Sequence, residues 1–329
     1  MLWLSVMRSE KSKKTKNSKR MILREFKRPQ KLMGNAFEIT VVHHDEKTAQ
    51  HHIDAAIEEI RRIEKLLTTF NENSQTNLIN QNAGIQPVKV DWEVFDLIER
   101  SIRISHITDG YFDISYGGID KSFWNFDREM KQLPDPEIIK KHLKLVNYQN
   151  ILLSHESQTV FLKEKGMRIG FGGIGKGYAA EMAKRLLQKK GVVSGIVNAS
   201  GDLTTWGNQA DGKPWTVGIA DPDNAKQPFS YINITDMAIA TSGNYEKFVI
   251  INGKKYSHTI NPKTGMPVSG VKSVTIFCPN SEIADAMATP VSIMGIDSAL
   301  NMVNQINHLE CIIIDDQDKI YSSQNINLK

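Results

Sequence analysis

The sequence predicts an α+β fold, a mixed domain with largely antiparallel sheets and flanking helices. Three observations predict it. Ile53, Ile57, Ile60, Ile63 and Leu67 recur every three or four positions with Glu and Arg between them, the pattern of an amphipathic helix over Thr48 to Leu67. Ile151 to Leu153, Val160 to Leu162 and Met167 to Phe171 are short apolar runs separated by polar turns, as in an antiparallel meander. Helical and strand segments also interleave without a strict βαβ period, which argues against a parallel sheet.

In chain order, residues 1 to 28 read as a solvated, disordered arm, because Lys11, Lys13, Lys14, Lys16, Lys19 and Arg20 crowd one charge into a short run. The domain is expected over 29 to 329. Val94, Leu97, Ile98, Ile102 and Ile104 mark a second helix, and the stretch from Pro136 to Val146 a third, with Pro134 and Pro136 at its start. After the meander, a helix from about Lys176 carries Ala179, Ala180, Met182, Ala183, Leu186 and Leu187 and stops at Gly191. Further strands are expected at Val192 to Val197, Trp215 to Ile219, Tyr231 to Ile234, Phe248 to Ile251, Val271 to Phe277 and Cys311 to Ile314. Helices are expected from Ser281 and from Asp297.

A chain of 329 residues can bury the core of one such domain, and its 24% charged and 40% hydrophobic residues fit neither a disordered nor a fibrous protein. The net charge of +4 is concentrated in the arm, so the domain itself is near balance and no nucleic-acid partner is inferred. Cys278 and Cys311 stand in apolar surroundings and read as small buried residues, not as a disulfide framework or zinc site. Met1 to Met7 is too short for a secretory h-region, and no apolar stretch is long enough for a transmembrane segment. As the sequence stands the expectation is a cytoplasmic protein; a periplasmic or membrane-anchored one is expected if the start is misassigned, and Met21 is an alternative start.

Four constellations offer chemistry. Gly170-Phe171-Gly172-Gly173-Ile174-Gly175-Lys176-Gly177 lies between a predicted strand and a helix, where bare amides and a lysine make a phosphate cradle. The run lacks the Ser or Thr of a Walker A loop and the placement of a dinucleotide fingerprint, and a tight strand-to-helix turn needs the same glycines. Asp285 and Thr289, four apart on one helix face, are hard oxygen ligands suited to Mg²⁺, or else a helix-start Asp with a back-bonded Thr. Pro290 lacks an N–H and so frees the carbonyl of Ala286 beside them.

His258 opens the turn-rich loop His258 to Gly265, where it is either a general base or a structural hydrogen-bonder. Ala240 to Tyr245 and Asn198 to Asp202 read as small-polar loops after strands, lining a cleft or simply connecting. His43, His44, His51 and His52 flank a helix start, where adjacent side chains point apart, and read as surface.

Taken together and in order, these segments resemble the ApbE family, the FAD:protein FMN transferases once described as thiamine-biosynthesis lipoproteins. The likeness runs from about Met33 to Tyr321. It comprises Met33-Gly34, Glu64 and Asn80, Gly110-Tyr111-Phe112-Asp113, Gly172 to Tyr178, Gly201-Asp202, Trp215 with Asp221-Pro222, Ala240 to Tyr245, His258 to Gly265 and Asp285 to Thr289. The resemblance implies a tunnelling-fold type of mixed architecture. It implies FAD as substrate, Mg²⁺ as cofactor, and a target flavoprotein whose Thr or Ser hydroxyl receives FMN as AMP departs. A Mg²⁺-dependent FAD pyrophosphatase and a non-catalytic flavin-binding protein would use the same site.

By position, Asp285 and Thr289 would ligate the metal with the main-chain oxygen of Gly173. Met33, Phe70, Phe112, Asp113 and Lys176 fall where the family contacts FAD, Thr259 lies beside that surface, and His258 is the expected base. The chain departs from the family pattern with Asn35 for Thr, Gly170 for Asp, Ser200 for Gly and Glu181 for Asp. Phe70 lacks a hydroxyl, and Pro290 is unusual.

Overall fold

The computed structural model describes residues 22–118, 130, 132–220, 228–243 and 248–326. The basic run, Asp221-Pro222 and Asn244-Tyr245 lie outside them. The chain opens with β1 (Arg24–Leu32), β2 (Asn35–His43), α1 (Glu46–Leu67), α2 (Gln75–Gln81), β3 (Val88–Lys89) and α3 (Trp92–Ile107). A 3₁₀ turn at Ile114–Gly118 precedes α4 (Pro136–Leu143), β4 (Ile151–Ser154), β5 (Thr159–Leu162), α5 (Gly175–Lys189), β6 (Gly195–Ala199) and β7 (Asp202–Trp206). Next come β8 (Trp215–Ala220), β9 (Pro228–Ile234), β10 (Ala238–Gly243), β11 (Phe248–Ile251), β12 (Lys254–Ser257) and β13 (Val271–Cys278). The chain closes with α6 (Ser281–Ile293), α7 (Ile296–Val303), β14 (Glu310–Asp315) and β15 (Ile320–Ser322). The fold is α+β, as the interleaved periods predict.

Eight strands form the main sheet in the order β1-β2-β6-β7-β10-β13-β14-β15, each pair antiparallel. Side-chain alternation gives the sheet two apolar faces. Val274, Ile276, Cys311 and Ile313 enter the large core under the helices, while Phe277, Ile312 and Ile314 enter a smaller one roofed by Trp215, Val217 and Ile219 of β8. Helices α1, α5 and α6 lie side by side on the first face, α1 over β2, α5 over β6 and β7, and α6 over β10 and β13. Asp45 caps α1 by accepting from the amide of Thr48 at 2.8 Å. Gly191, at φ 85°, ends α5 in the conformation expected of its C-terminal cap. No helix among the described residues is long and apolar enough to cross a membrane.

Two hairpin turns lie at one end of the sheet. Met33-Gly34 has φ 51° and 73°, and Ser200-Gly201 has φ 60° and 100°. Each two-residue turn needs both residues left-handed, the requirement of a type I′ hairpin. The pairing of Phe37 with Ala199 sets the two turns side by side.

Several expectations shift. The sheet begins at Arg24, so residues 24–28 belong to it and not to the arm; β1 is an edge strand, where charged side chains stay in solvent. Ala240 to Gly243 is strand, not loop, bonded to β13. Val192 to Val197 contributes only its second half, since β6 runs Gly195–Ala199. Met167 to Phe171 pairs with no strand. Its backbone bonds instead to the Asn80 side chain, which accepts from the Ile169 amide at 2.7 Å and donates to the Ile169 carbonyl at 3.0 Å. One buried carboxamide thus supplies the two bonds a neighbouring strand would have made. Cys278 and Cys311 are free and buried, and burial pushes their thiols up, to about 11 and about 12.

Candidate active site

The site is built where the start of α5 meets α6. A Cβ at Gly177 would lie 2.1 Å from the carbonyl oxygen of Ser281 and 2.6 Å from Cβ of Asp285, so only glycine permits this approach. The Gly177 amide donates to Asp285 Oδ2 at 2.9 Å, and the Ser281 hydroxyl donates to the Gly177 carbonyl at 2.8 Å. The Lys176 amide also points at Asp285. Ile174, the residue preceding α5, offers no side-chain cap, and the carboxylate of α6 fills that office from across the interface. The sequence places a phosphate on these helix-start amides; the fold gives two of them to Asp285.

The Lys176 ammonium hydrogen-bonds Asp202 and stands 3.9 Å from Asp285 Oδ1. Asp202 opens β7 after the Ser200-Gly201 turn and also accepts from the Thr241 backbone. Burial pushes both carboxyls up, and the like charge of Asp285 adds to the rise at Asp202. Burial opposes the charge on Lys176, but Asp285 and Asp202 outweigh it and hold the ammonium protonated. Among the described residues two buried carboxyls face one ammonium here, and a further positive charge would favour their ionised forms.

One turn along α6, the Thr289 hydroxyl lies 3.9 Å from where a Cβ on Gly173 would stand, and Phe112 Cε2 lies 3.6 Å from the same point. Pro290 sits inside α6, so the Ala286 carbonyl receives no N–H four residues on. Asp285, Thr289 and the glycine loop, distant in sequence, therefore converge. Among the described residues no three His, Cys, Asp or Glu form a metal-holding group. The donors gathered here are one carboxylate, one hydroxyl and main-chain carbonyls, a set suited to a hard cation.

From this corner opens a cleft of about 840 Å³ whose lining includes Met33, Phe70, Arg168, Gly170, Gly172 and Lys176. Phe70 is 98% exposed at its rim, an aromatic face with nothing of the chain upon it. Phe112 is buried behind the glycine loop. Asp113 is turned to scaffolding: Oδ1 accepts from the Ser115 amide at 2.8 Å and hydroxyl at 2.6 Å, and Oδ2 from the Tyr148 amide at 2.9 Å. Burial raises its pKa, against those three bonds.

His258 is exposed and Thr259 half-buried on a loop outside the cleft lining. That loop is held elsewhere: Lys263 pairs with Asp109 at 2.7 Å over the Tyr111 ring, and Ile260 packs on Ile139 of α4. His43 and His44, read as pointing apart, stack with centroids 4.3 Å apart. Sequence reasoning passed over Asp202 as the partner of Lys176, and Arg168 altogether. The Gly201-Asp202 pair carried a signal, as a cleft-lining or connecting loop and as part of the family likeness, but nothing in it named Lys176 as the partner.

A family model described as the ApbE family matches residues 33–313. The chain belongs to the ApbE family. A FAD:protein FMN transferase from Treponema pallidum is 28% identical over 323 residues, covering 92% of this chain and 88% of that protein. One from Klebsiella pneumoniae is 29% identical, covering 89% and 90%. Among solved structures, the ApbE protein of Thermotoga maritima superposes with a TM-score of 0.81 at 28% identity, over 92% of this chain and 97% of that one. The flavin transferase ApbE from Vibrio cholerae gives 0.78 at 25%, over 92% and 98%. The solved ApbE structures thus match this chain in overall fold as well as in sequence.

Proposed function

We propose that this ApbE-family chain is an FAD:protein FMN transferase that uses Mg²⁺ to move FMN from FAD onto a Thr or Ser hydroxyl of a target flavoprotein. The observation that carries this reading is the convergence of Lys176, Asp285 and Thr289 with the glycine loop at the end of an open cleft rimmed by an aromatic.

Asp285, Thr289 and the main-chain oxygen of Gly173 fit Mg²⁺, since they offer hard oxygens beside a second buried carboxyl, and a cation there would favour the ionised carboxylate. When bound, the ion neutralises diphosphate charge and polarises the phosphoryl oxygen. Lys176 adds a fixed positive charge at the same corner and offsets part of the rise that burial imposes on Asp285. Phe70 and Met33 present apolar surface to the flavin dinucleotide, with Phe112 backing the glycine loop. Asp113 holds the segment that carries Phe112. His258, with Thr259 beside it, stands exposed where an incoming protein can reach it and takes the proton of the attacking hydroxyl. That oxygen bonds to the FMN phosphorus, the diphosphate P–O bond breaks, and AMP leaves.

Incubation with FAD, Mg²⁺ and a flavin-acceptor domain should yield a fluorescent acceptor band that survives denaturation and disappears with a chelator. Asp285→Asn should lower the rate by about 100-fold or more. Free FMN with no labelled acceptor would mark a pyrophosphatase instead, and bound FAD with no product a flavin-binding protein.

A further inference from the structure

The segment Met167 to Phe171 runs extended, so successive side chains alternate in direction. Met167, Ile169 and Phe171 are buried in the core, Ile169 and Phe171 only bordering the cleft, whereas Arg168, Gly170 and Gly172 line it with more exposed surface. Of these three only Arg168 carries a side chain. The strip is held from both sides: Asn80 brackets Ile169, and the Gly170 amide donates to the Ile114 carbonyl at 2.9 Å. Gly117 packs on the Arg168 carbonyl so closely that a Cβ there would lie 3.1 Å from it. The backbone of Arg168 is therefore fixed while its guanidinium is exposed, and among the described residues it makes no hydrogen bond or ion pair.

Among the described residues the other ionisable side chains of the cleft are Glu64 and Lys176, and Lys176 is already engaged by Asp202 and Asp285. Among the described residues Arg168 is the cleft cation left for a ligand. Beside it, a Cβ at Gly172 would meet nothing within 4 Å and one at Gly170 only Thr69 Cγ2 at 3.9 Å, so a ligand can lie against the bare strip. The strip offers a cation and no carboxylate.

We propose that Arg168 is a specificity-determining residue that grips a phosphate of the flavin dinucleotide, a second anion contact along the cleft from Lys176. A planar guanidinium donates two parallel hydrogen bonds to a phosphate, which an amide or a lone amine does not match. The inference rests on the reading of this cleft as the FAD site.

The test uses the full chain with Mg²⁺, and the probes are FAD, ADP and riboflavin. Arg168→Gln should weaken FAD and ADP binding by about tenfold or more and leave riboflavin within about twofold. In turnover, KM for FAD should rise while kcat holds. Arg168→Lys should recover part of the loss at low salt. Unchanged FAD affinity in Arg168→Gln, an equal loss for riboflavin, or an effect confined to KM for the acceptor protein would each overturn the proposal alone. Wild-type protein that binds no FAD would overturn the FAD reading, and this one with it.

Discussion

The two ends of the cleft are built in opposite ways. At the inner end Lys176, Asp202, Asp285 and Gly177 are bonded to one another, and a single added carbon at Gly177 would collide with backbone. At the outer end Arg168 and Phe70 face solvent, and a Cβ at Gly172 would touch nothing. Folding completes the first, so it pays in advance the entropy of aligning charge with a reacting group. The second has positions set by a rigid backbone but side chains with no partner, which leaves recognition to be finished by whatever binds.

The contrast breaks most severely at Gly177. Gly177→Ala should cost about 3 kcal/mol or more, because the atom it strikes is the Ser281 carbonyl, and helix backbones yield less readily than side chains. Thermal unfolding should show a midpoint lower by roughly 5–10 °C; an unchanged midpoint would mean that the α5–α6 spacing is not set by contact.

Asn80 tests whether the outer strip owes its rigidity to one side chain. Asn80→Ala removes both bonds to Ile169 and should cost about 2 kcal/mol in urea unfolding, and Asn80→Asp, which keeps the acceptor but sets a buried carboxylate oxygen against the Ile169 carbonyl, should lose at least as much. FAD affinity should fall with stability in both, since the strip presents Arg168.

Phe70 lies at the small end of the scale for stability. Being almost wholly exposed, Phe70→Ala should leave the unfolding free energy within about 0.5 kcal/mol yet raise KM for FAD by about fivefold to tenfold. A fall in stability with no change in KM would reverse the assignment of that ring from ligand contact to packing.

Helices α1, α3 and α5 were legible because each buries one stripe of a repeating pattern, and α5 ends on a glycine that marks its own cap. Strands β2 and β7 carried weaker signals: β7 is buried on both faces and short, and β2 mixes alternation with a continuous apolar run. The segment Met167 to Phe171 misled for a definite reason. Its alternation is that of a strand, but what satisfies its backbone is a carboxamide 89 residues away.

The same division holds at the site. Residue chemistry by itself determined that Asp285 and Thr289 share a helix face, that Pro290 frees a carbonyl, and that the glycines around Lys176 open a helix; these come from bonds and periods local to the chain. Only the tertiary structure decided that Asp285 would cap α5, that Asp202 would meet Lys176, that Asp113 would be taken up by scaffolding, and that Arg168 would stand alone in the cleft. A hydrogen bond or ion pair depends on distances between segments that are remote in sequence, and packing sets those distances.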